Sequence, residues 1–248
     1  LAQSADPDPH RSLPEAEPSM SDDLDILDAG FDVVSIEEKI ALSKEMERAA
    51  LAADPRIVAT LRATYSDART SVALANSQGF AGAYPRTSAA GWIQAIARDE
   101  GGQSMGIGLD FSVSPRELDP RKIGEEAGRR AADILGGQPV PTQKGSVVLH
   151  PVAGAELLLF LAQAVTAEAL QKGRSFLIDR EGEPVASAIV GLADDGRRRG
   201  GLASAPFDGE GTPTQLTRVV RRGVFQRPLH DHYTARKDGT RSTGNFRR

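Results

Sequence analysis

Apolar positions recur at helical spacing twice in the first half of the chain. In the first stripe, Ile36, Ile40 and Ala50 fall near one face, and Glu37, Lys44 and Glu47 lie largely outside it. Ser35 with Glu38 three residues on forms a capping box, and Asp54-Pro55 stops the helix, because a residue before proline avoids helical backbone. The second stripe is Ile123, Ala127, Ala131, Ile134 and Leu135. Asp119 caps it, Pro120 suits its first turn, and Gly136 ends it in a left-handed conformation. Between the two helices the pattern becomes β-like. "RIVATLRATYSD" and "TSVALAN" predict two strands separated by the polar "SDAR", and "NSQG" predicts a turn. "FAGAYPRTSAAGWIQAIARDE" predicts two more strands whose small residues pack against a helix. Residues 35–137 therefore read as one α+β unit.

"GQPVPTQKG" marks a boundary. After it, "SVVLHP" predicts a buried strand leading into an apolar helix, Ala155 to Leu170, interrupted by Glu156, Gln163, Thr166 and Glu168. "PVASAIVGL" predicts another strand, "DDGRRRGG" a charged turn and "TQLTRVVRRGVF" an amphipathic strand. Residues 138–248 thus form a second mixed unit. Residues 1–34, acidic and proline-rich, read as a linker or arm. The fold class is α+β, with two mixed sheet-and-helix units.

Composition narrows the function classes. No apolar run reaches the roughly 18 residues of a membrane span, and Leu1 to Pro18 is too polar for a signal peptide. A net charge of -4 argues against general nucleic-acid binding. The chain has no cysteine, which removes disulfides, thiolate nucleophiles and cysteine zinc sites, and fits a reducing cytoplasm. Charge is uneven: the first 28 residues are acidic and the stretch from Arg197 onward is arginine-rich, an asymmetry that suits partner docking or two solvated ends. The chain opens on Leu1 and stops at "STGNFRR", which suggests a piece of something longer.

Candidate chemistry is sparse. His10 lies in the acidic arm, and His150 at the end of a predicted strand suits a satisfied buried histidine better than a ligand. His230 and His232, two apart on a strand, would project from one face and could share a metal, but no third ligand lies nearby and zinc usually takes at least three. "APFDGEGTPT" places Asp208 and Glu210 on a glycine-containing loop. It reads either as a substrate-facing loop or as a turn whose acids satisfy local N–H groups. "STGN", Ser242 to Asn245, could bind an anion through backbone N–H groups. "GQSMGIG" lacks the lysine of a phosphate loop, and neither G-x-S-x-G nor H-E-x-x-H occurs.

Several longer words carry more. "SFLIDREGEPVAS", "GGLASAPFDGEGTPT" and "YTARKDGTRSTGN" occur in the order and spacing of the TldD/PmbA peptidase family, which the chain resembles over about Ser35 to Asn245. "PRIVATLRATYSDARTSVALANSQG" is similar to that family's middle domain, and "AGRRAADILGGQPVPTQKGSVVLHP" to its crossing into the C-terminal domain. The resemblance implies two branches. TldD-type subunits carry an H-E-x-x-x-H zinc helix, while PmbA-type (TldE) subunits lack it and pair with a TldD-type subunit to degrade peptides or trim leader peptides. Counted back from "KGRSF", the motif positions fall on Leu158, Leu159 and Gln163, where leucine offers no lone pair and glutamine is a poor zinc ligand.

The expectation is a PmbA-like, non-catalytic subunit of a heteromeric zinc peptidase, truncated relative to the family. Zinc is expected in the TldD-like partner and no cofactor in this chain. Asp208, Glu210, Gly211, Thr243, Gly244 and Asn245 would face the peptide channel. The alternatives are a stand-alone peptidase using His230 and His232, and an accessory protein of peptide natural-product maturation.

Overall fold

A computed structural model describes residues 7–17 and 24–246. The chain forms two compact units, one made of Asp25–Ser71 and Pro85–Lys144, the other of Leu1–Leu24, Val72–Tyr84 and Gly145–Arg248. Each contains a three-stranded sheet, ordered β1-β2-β3 and β4-β5-β6. The architecture is mixed α and β, as the pattern predicts.

In the first unit, helix α1 covers Ile36–Ala52 and α2 Pro120–Ile134. Both begin as the sequence requires. Ser35 and Glu38 exchange backbone and side-chain hydrogen bonds in a full capping box, and the Asp119 carboxylate accepts from the Lys122 amide. The strands depart from expectation. "RIVATLRATYSD" and "TSVALAN" are one continuous strand, β1 (Ile57–Ala75), which "SDAR" does not interrupt. The following stretch is likewise one long strand, β2 (Ala81–Asp99), which runs antiparallel to β3 (Gly102–Ser112). The "NSQG" turn forms, with the Asn76 carboxamide oxygen accepting from the amides of Gln78 and Phe80.

Ile93, Ala95 and Ala97 alternate inward along β2 and meet Met46 and Ala50 of α1 and Ile123, Ala127 and Ala131 of α2. The helix seats unusually low on the sheet. A Cβ added at Gly108 would lie 1.8 Å from the Ile123 carbonyl oxygen, and one at Gly124 would lie 2.2 Å from that of Met46. These glycines serve backbone approach, from strand to helix and from helix to helix, and Ser104 secures the contact by donating to the Ala131 carbonyl at 2.6 Å.

In the second unit, α3 covers Pro151–Ala164 and α4 Ala167–Gln171. The sequence suggested one helix from Ala155 to Leu170. It breaks because Val165 turns into the core and the Thr166 hydroxyl caps α4 by accepting from the Ala169 amide. "SVVLHP" is not a buried strand: Val147 and Val148 are 78% and 96% exposed. "PVASAIVGL" is not a strand either, apart from a single bridge at Pro184. Its backbone is taken up by turns, with Ala186 donating to Gly223 and Val190 to Ser187. β4 (Leu192–Asp195) pairs with β5 (Leu216–Arg221), and "TQLTRVVRRGVF" folds at Arg222-Gly223 into β5 and the short β6 (Val224–Phe225). Val165, Leu177, Val219, Val220 and Phe225 make the core. A last helix, α5, covers His232–Lys237.

Replacing Gly108 with alanine should lower stability by about 2 kcal/mol or more, since the Cβ forces strand and helix apart. The shift of the urea midpoint measures it, and an unchanged midpoint would mean that the close contact does not exist.

Candidate functional site

The candidate residues belong to the second unit, on two stretches that the fold brings together. The loop Ala205–Thr214 is anchored by Phe207, whose ring meets Phe80 at 5.0 Å and Tyr84 at 5.1 Å, both edge-on. At its centre lies Asp208, 2% exposed. One carboxylate oxygen accepts from the amides of Glu210 and Thr212 at 2.9 and 3.0 Å, and the other accepts from the Phe246 amide at 3.1 Å. The Gly209 amide in turn donates to the Phe246 carbonyl at 2.7 Å. Asp208 therefore organises the loop and ties it to the C-terminal stretch, through the local N–H satisfaction that was one of the two readings of this loop.

Gly211 has φ +90°, and a Cβ there would meet the Phe80 ring at 2.8 Å. Gly244 (φ +67°) lies over the Pro213 carbonyl, where a Cβ would come within 2.3 Å of the oxygen. Thr243 is buried. Its hydroxyl accepts from the His230 amide at 2.8 Å, and its own amide donates to the His230 carbonyl at 2.9 Å. The Asn245 side chain donates to Asp194 at 2.6 Å, while its buried carboxamide oxygen has no hydrogen-bond partner. "STGN" is thus held by the backbone of His230, with Gly244 packed on Pro213 and the next residue, Phe246, bonded to the 205–214 loop.

Glu210 differs from Asp208. It is half-buried, and one oxygen accepts from the His232 backbone amide at 2.8 Å. Burial pushes its carboxyl above the ordinary glutamate value, and the nearby Asp208 and Asp231 carboxylates push the same way. His232 is displaced downward, by burial and then by the Arg236 guanidinium. The loop thus carries one carboxylate committed to structure and one held at a pH-sensitive position.

The two histidines do not share a strand. His232 opens α5, with Asp231 as its N-cap. The His230 ring meets the Asp238 carboxylate at 3.0 Å, and the His232 ring meets the Ser12 hydroxyl at 2.8 Å. Each imidazole therefore has its own partner. His150 is exposed and caps α3, its Nδ1 accepting from the Val152 amide. Among the described residues, no group of three or more His, Asp or Glu side chains is placed to hold a metal ion.

Leu158, Leu159 and Gln163 all lie on α3, which buries none of its residues, and the two leucines are 49% and 70% exposed. Neither leucine carries a donor atom, so this helix does not fit a zinc ion.

Sequence reasoning missed Phe80 and Tyr84, which anchor the loop from the β1–β2 turn region, and Tyr233 and Arg236 on α5. The aromatic spacing of "FAGAY" was the available signal.

Residues 30–135 match the PmbA/TldA metallopeptidase central domain, and residues 142–248 match the C-terminal domain of the same family. The chain belongs to the PmbA/TldD family, on its PmbA-like side. It is 27% identical to the metalloprotease PmbA of Escherichia coli O157:H7, covering 99% of this chain and 55% of that protein. A crystal structure of a Thermotoga maritima protein, named as a candidate modulator of a DNA gyrase, superposes with a TM-score of 0.88 at 29% identity, covering 95% of this chain and 54% of that one. TldE of Thermococcus kodakarensis shares the fold, with a TM-score of 0.81 at 23% identity, covering 100% of this chain and 56% of that one. The chain spans about half the length of these relatives.

Two consequences can be measured. Asp208→Ala strands three amides in a buried loop and should cost about 3 kcal/mol, whereas Asp208→Asn, which keeps an acceptor, should cost less. Thermal unfolding of both variants checks this. A raised folded-state pKa at Glu210 favours the folded protein below the ordinary value of 4.5, and that contribution fades as pH rises through the folded pKa. Glu210→Gln should therefore lose less stability than the parent as pH climbs above 4.5 in a denaturation series; identical slopes would contradict it.

Proposed function

We propose that this chain is a PmbA/TldE-like subunit that works beside a TldD-like zinc metallopeptidase and helps to form the channel through which peptide substrates pass. The observation that carries the reading is α3. Its position in the family is that of the zinc helix, and it presents Leu158, Leu159 and Gln163 where the resemblance puts His, Glu and His. A zinc peptidase needs donors that hold the ion and a carboxylate that takes a proton from its water. This helix offers aliphatic groups instead, so the zinc chemistry is assigned to the partner.

Exposure supports the partner. Leu157, Leu158, Leu159 and Phe160 form a run that is 49%, 49%, 70% and 78% exposed. A contiguous apolar surface of this kind marks a contact with another polypeptide surface. The 205–214 loop, pinned by Asp208 and joined through Phe246 to the stretch that carries Thr243–Asn245, supplies a rigid wall for a peptide to lie against. In this role Asp208, Gly211 and Gly244 shape the wall, Glu210 and Asn245 offer polar atoms to it, and Thr243 fixes the stretch that carries Asn245. Substrates are peptides or unfolded segments, for proteolysis or leader-peptide removal. The lack of cysteine and of any described helix able to cross a membrane is compatible with a cytoplasmic setting.

Co-expression with a TldD-like subunit followed by metal analysis tests the reading. The expected result is co-purification, with about one zinc per partner and peptidase activity only when both chains are present. Zinc bound stoichiometrically by this chain alone, or peptide cleavage by it alone, would overturn the assignment.

A further inference from the structure

A segment outside the family words, Asp8 to Pro14, lies along α5 within the second unit. Its contacts are made by a short row of side chains. The Tyr233 hydroxyl donates to the Asp8 carboxylate at 2.9 Å. Arg236 donates to the Pro9 carbonyl at 2.9 Å and to the Ser12 hydroxyl at 3.0 Å. The same hydroxyl meets the His232 ring at 2.8 Å. Further along, the Asn76 carboxamide donates to the Pro14 carbonyl at 3.1 Å, and Pro14 is buried.

We propose that this groove is a recognition site for a proline-bearing peptide that opens with an aspartate turn, and that Asp8–Pro14 of the same chain occupies it in cis. Two features support recognition. Arg236 and Asn76 address the main-chain carbonyls of Pro9 and Pro14, which lie outside the turn's own hydrogen bonds, while Tyr233 and His232 add selection for a carboxylate and a hydroxyl. The row is also preset. The Glu210 carboxylate holds the His232 backbone amide, and Asp231 caps α5 by accepting from the Thr234 amide at 2.7 Å, so the reading side chains project from fixed backbone.

Two further features make the occupant exchangeable. Its grip is uneven: Pro14 is buried and the Arg11 guanidinium lies 5.8 Å over the Tyr233 ring, but Leu13 is 50% exposed, the Arg11 side chain is 81% exposed, and the amides of His10 and Arg11 turn back onto Asp8 instead of the groove. Beside the occupant there is also about 410 Å³ of space, walled by the strap itself from Ser12 to Glu17 and by Gln78, Thr212, Arg241 and Ser242. A displacing peptide has room to enter alongside the strap. The site requires neither zinc nor a second subunit, so it stands or falls independently of the channel reading.

The test uses a fluorescein-labelled peptide with the sequence Asp8 to Glu17 and the full chain. A tethered strap competes at high local concentration. The chain carrying Asp8→Ala, Ser12→Ala and Pro14→Ala should therefore bind the labelled peptide at least about tenfold more tightly than the parent chain does. Adding Tyr233→Phe and Arg236→Ala to that chain should abolish binding. An unlabelled peptide with the same aspartate and serine changed to alanine should fail to compete, an arm that leaves the protein untouched. In the parent chain, millimolar peptide should speed hydrogen exchange of the strap amides. Equal affinity with and without the strap substitutions, equal competition by the altered peptide, or strap exchange that ignores the added peptide would each overturn the proposal and leave the strap as a fixed structural segment.

Discussion

A buried carboxylate must have its oxygens satisfied, and Asp208 meets that demand with backbone N–H groups. Two of them come from its own loop. The third belongs to Phe246, far along the chain, and this non-local bond, with that from the Gly209 amide to the Phe246 carbonyl, joins the two stretches. Much else follows from it. Gly211 and Gly244 must take up left-handed conformations against Phe80 and Pro213, and Thr243 is brought to the His230 backbone. Glu210, next but one along the loop, is then left pointing at the start of α5, where His232 and the strap contacts begin.

The two units solve the packing problem in opposite ways. In the α1–α2 unit, small residues let helices sit directly on strand backbone, and Ile123, Ala127 and Ala131 of the α2 stripe are buried while Ile134 is left 58% exposed. In the other unit, the most apolar helix of the chain is also its least covered. Fully burying a leucine or phenylalanine side chain is worth about 1.5–3 kcal/mol. An uncovered run from Leu157 to Phe160 therefore represents several such contributions unrealised within this chain. That contrast is what the proposed function draws on.

The candidate residues form a built structure whose parts differ in role. Asp208 and Thr243 are occupied with backbone groups, whereas the Asn245 carboxamide oxygen and the Glu210 carboxyl retain capacity or pH sensitivity. The groove along α5 lies one hydrogen bond away from this loop, through Glu210 and the His232 amide. The two proposals thus rest on different physical features of this unit: a wall of fixed backbone, and a row of side chains that addresses carbonyls.

The sequence by itself determined the local features. Ser35 with Glu38 and Asp119 with Pro120 specify helix starts through contacts within a few residues, whereas the face of α1 that packs is Met46, Ala49 and Ala50, with Ile36 and Ile40 of the predicted stripe exposed. The family words specify ancestry, and the residue types at 158, 159 and 163 specify that this helix has no zinc donor set. The tertiary structure alone decided what depends on distant partners. Whether "SDAR" interrupts a strand is settled by the neighbouring strand, and β-branched residues at Val147 and Val148 make no strand without an edge to pair with. The separation of His230 from His232 reflects a helix that begins between them, capped by Asp231. The meeting of Asp208 with Phe246, and of the Asp8–Pro14 strap with α5, was likewise invisible, because a hydrogen bond across many residues leaves no periodicity in the sequence it joins.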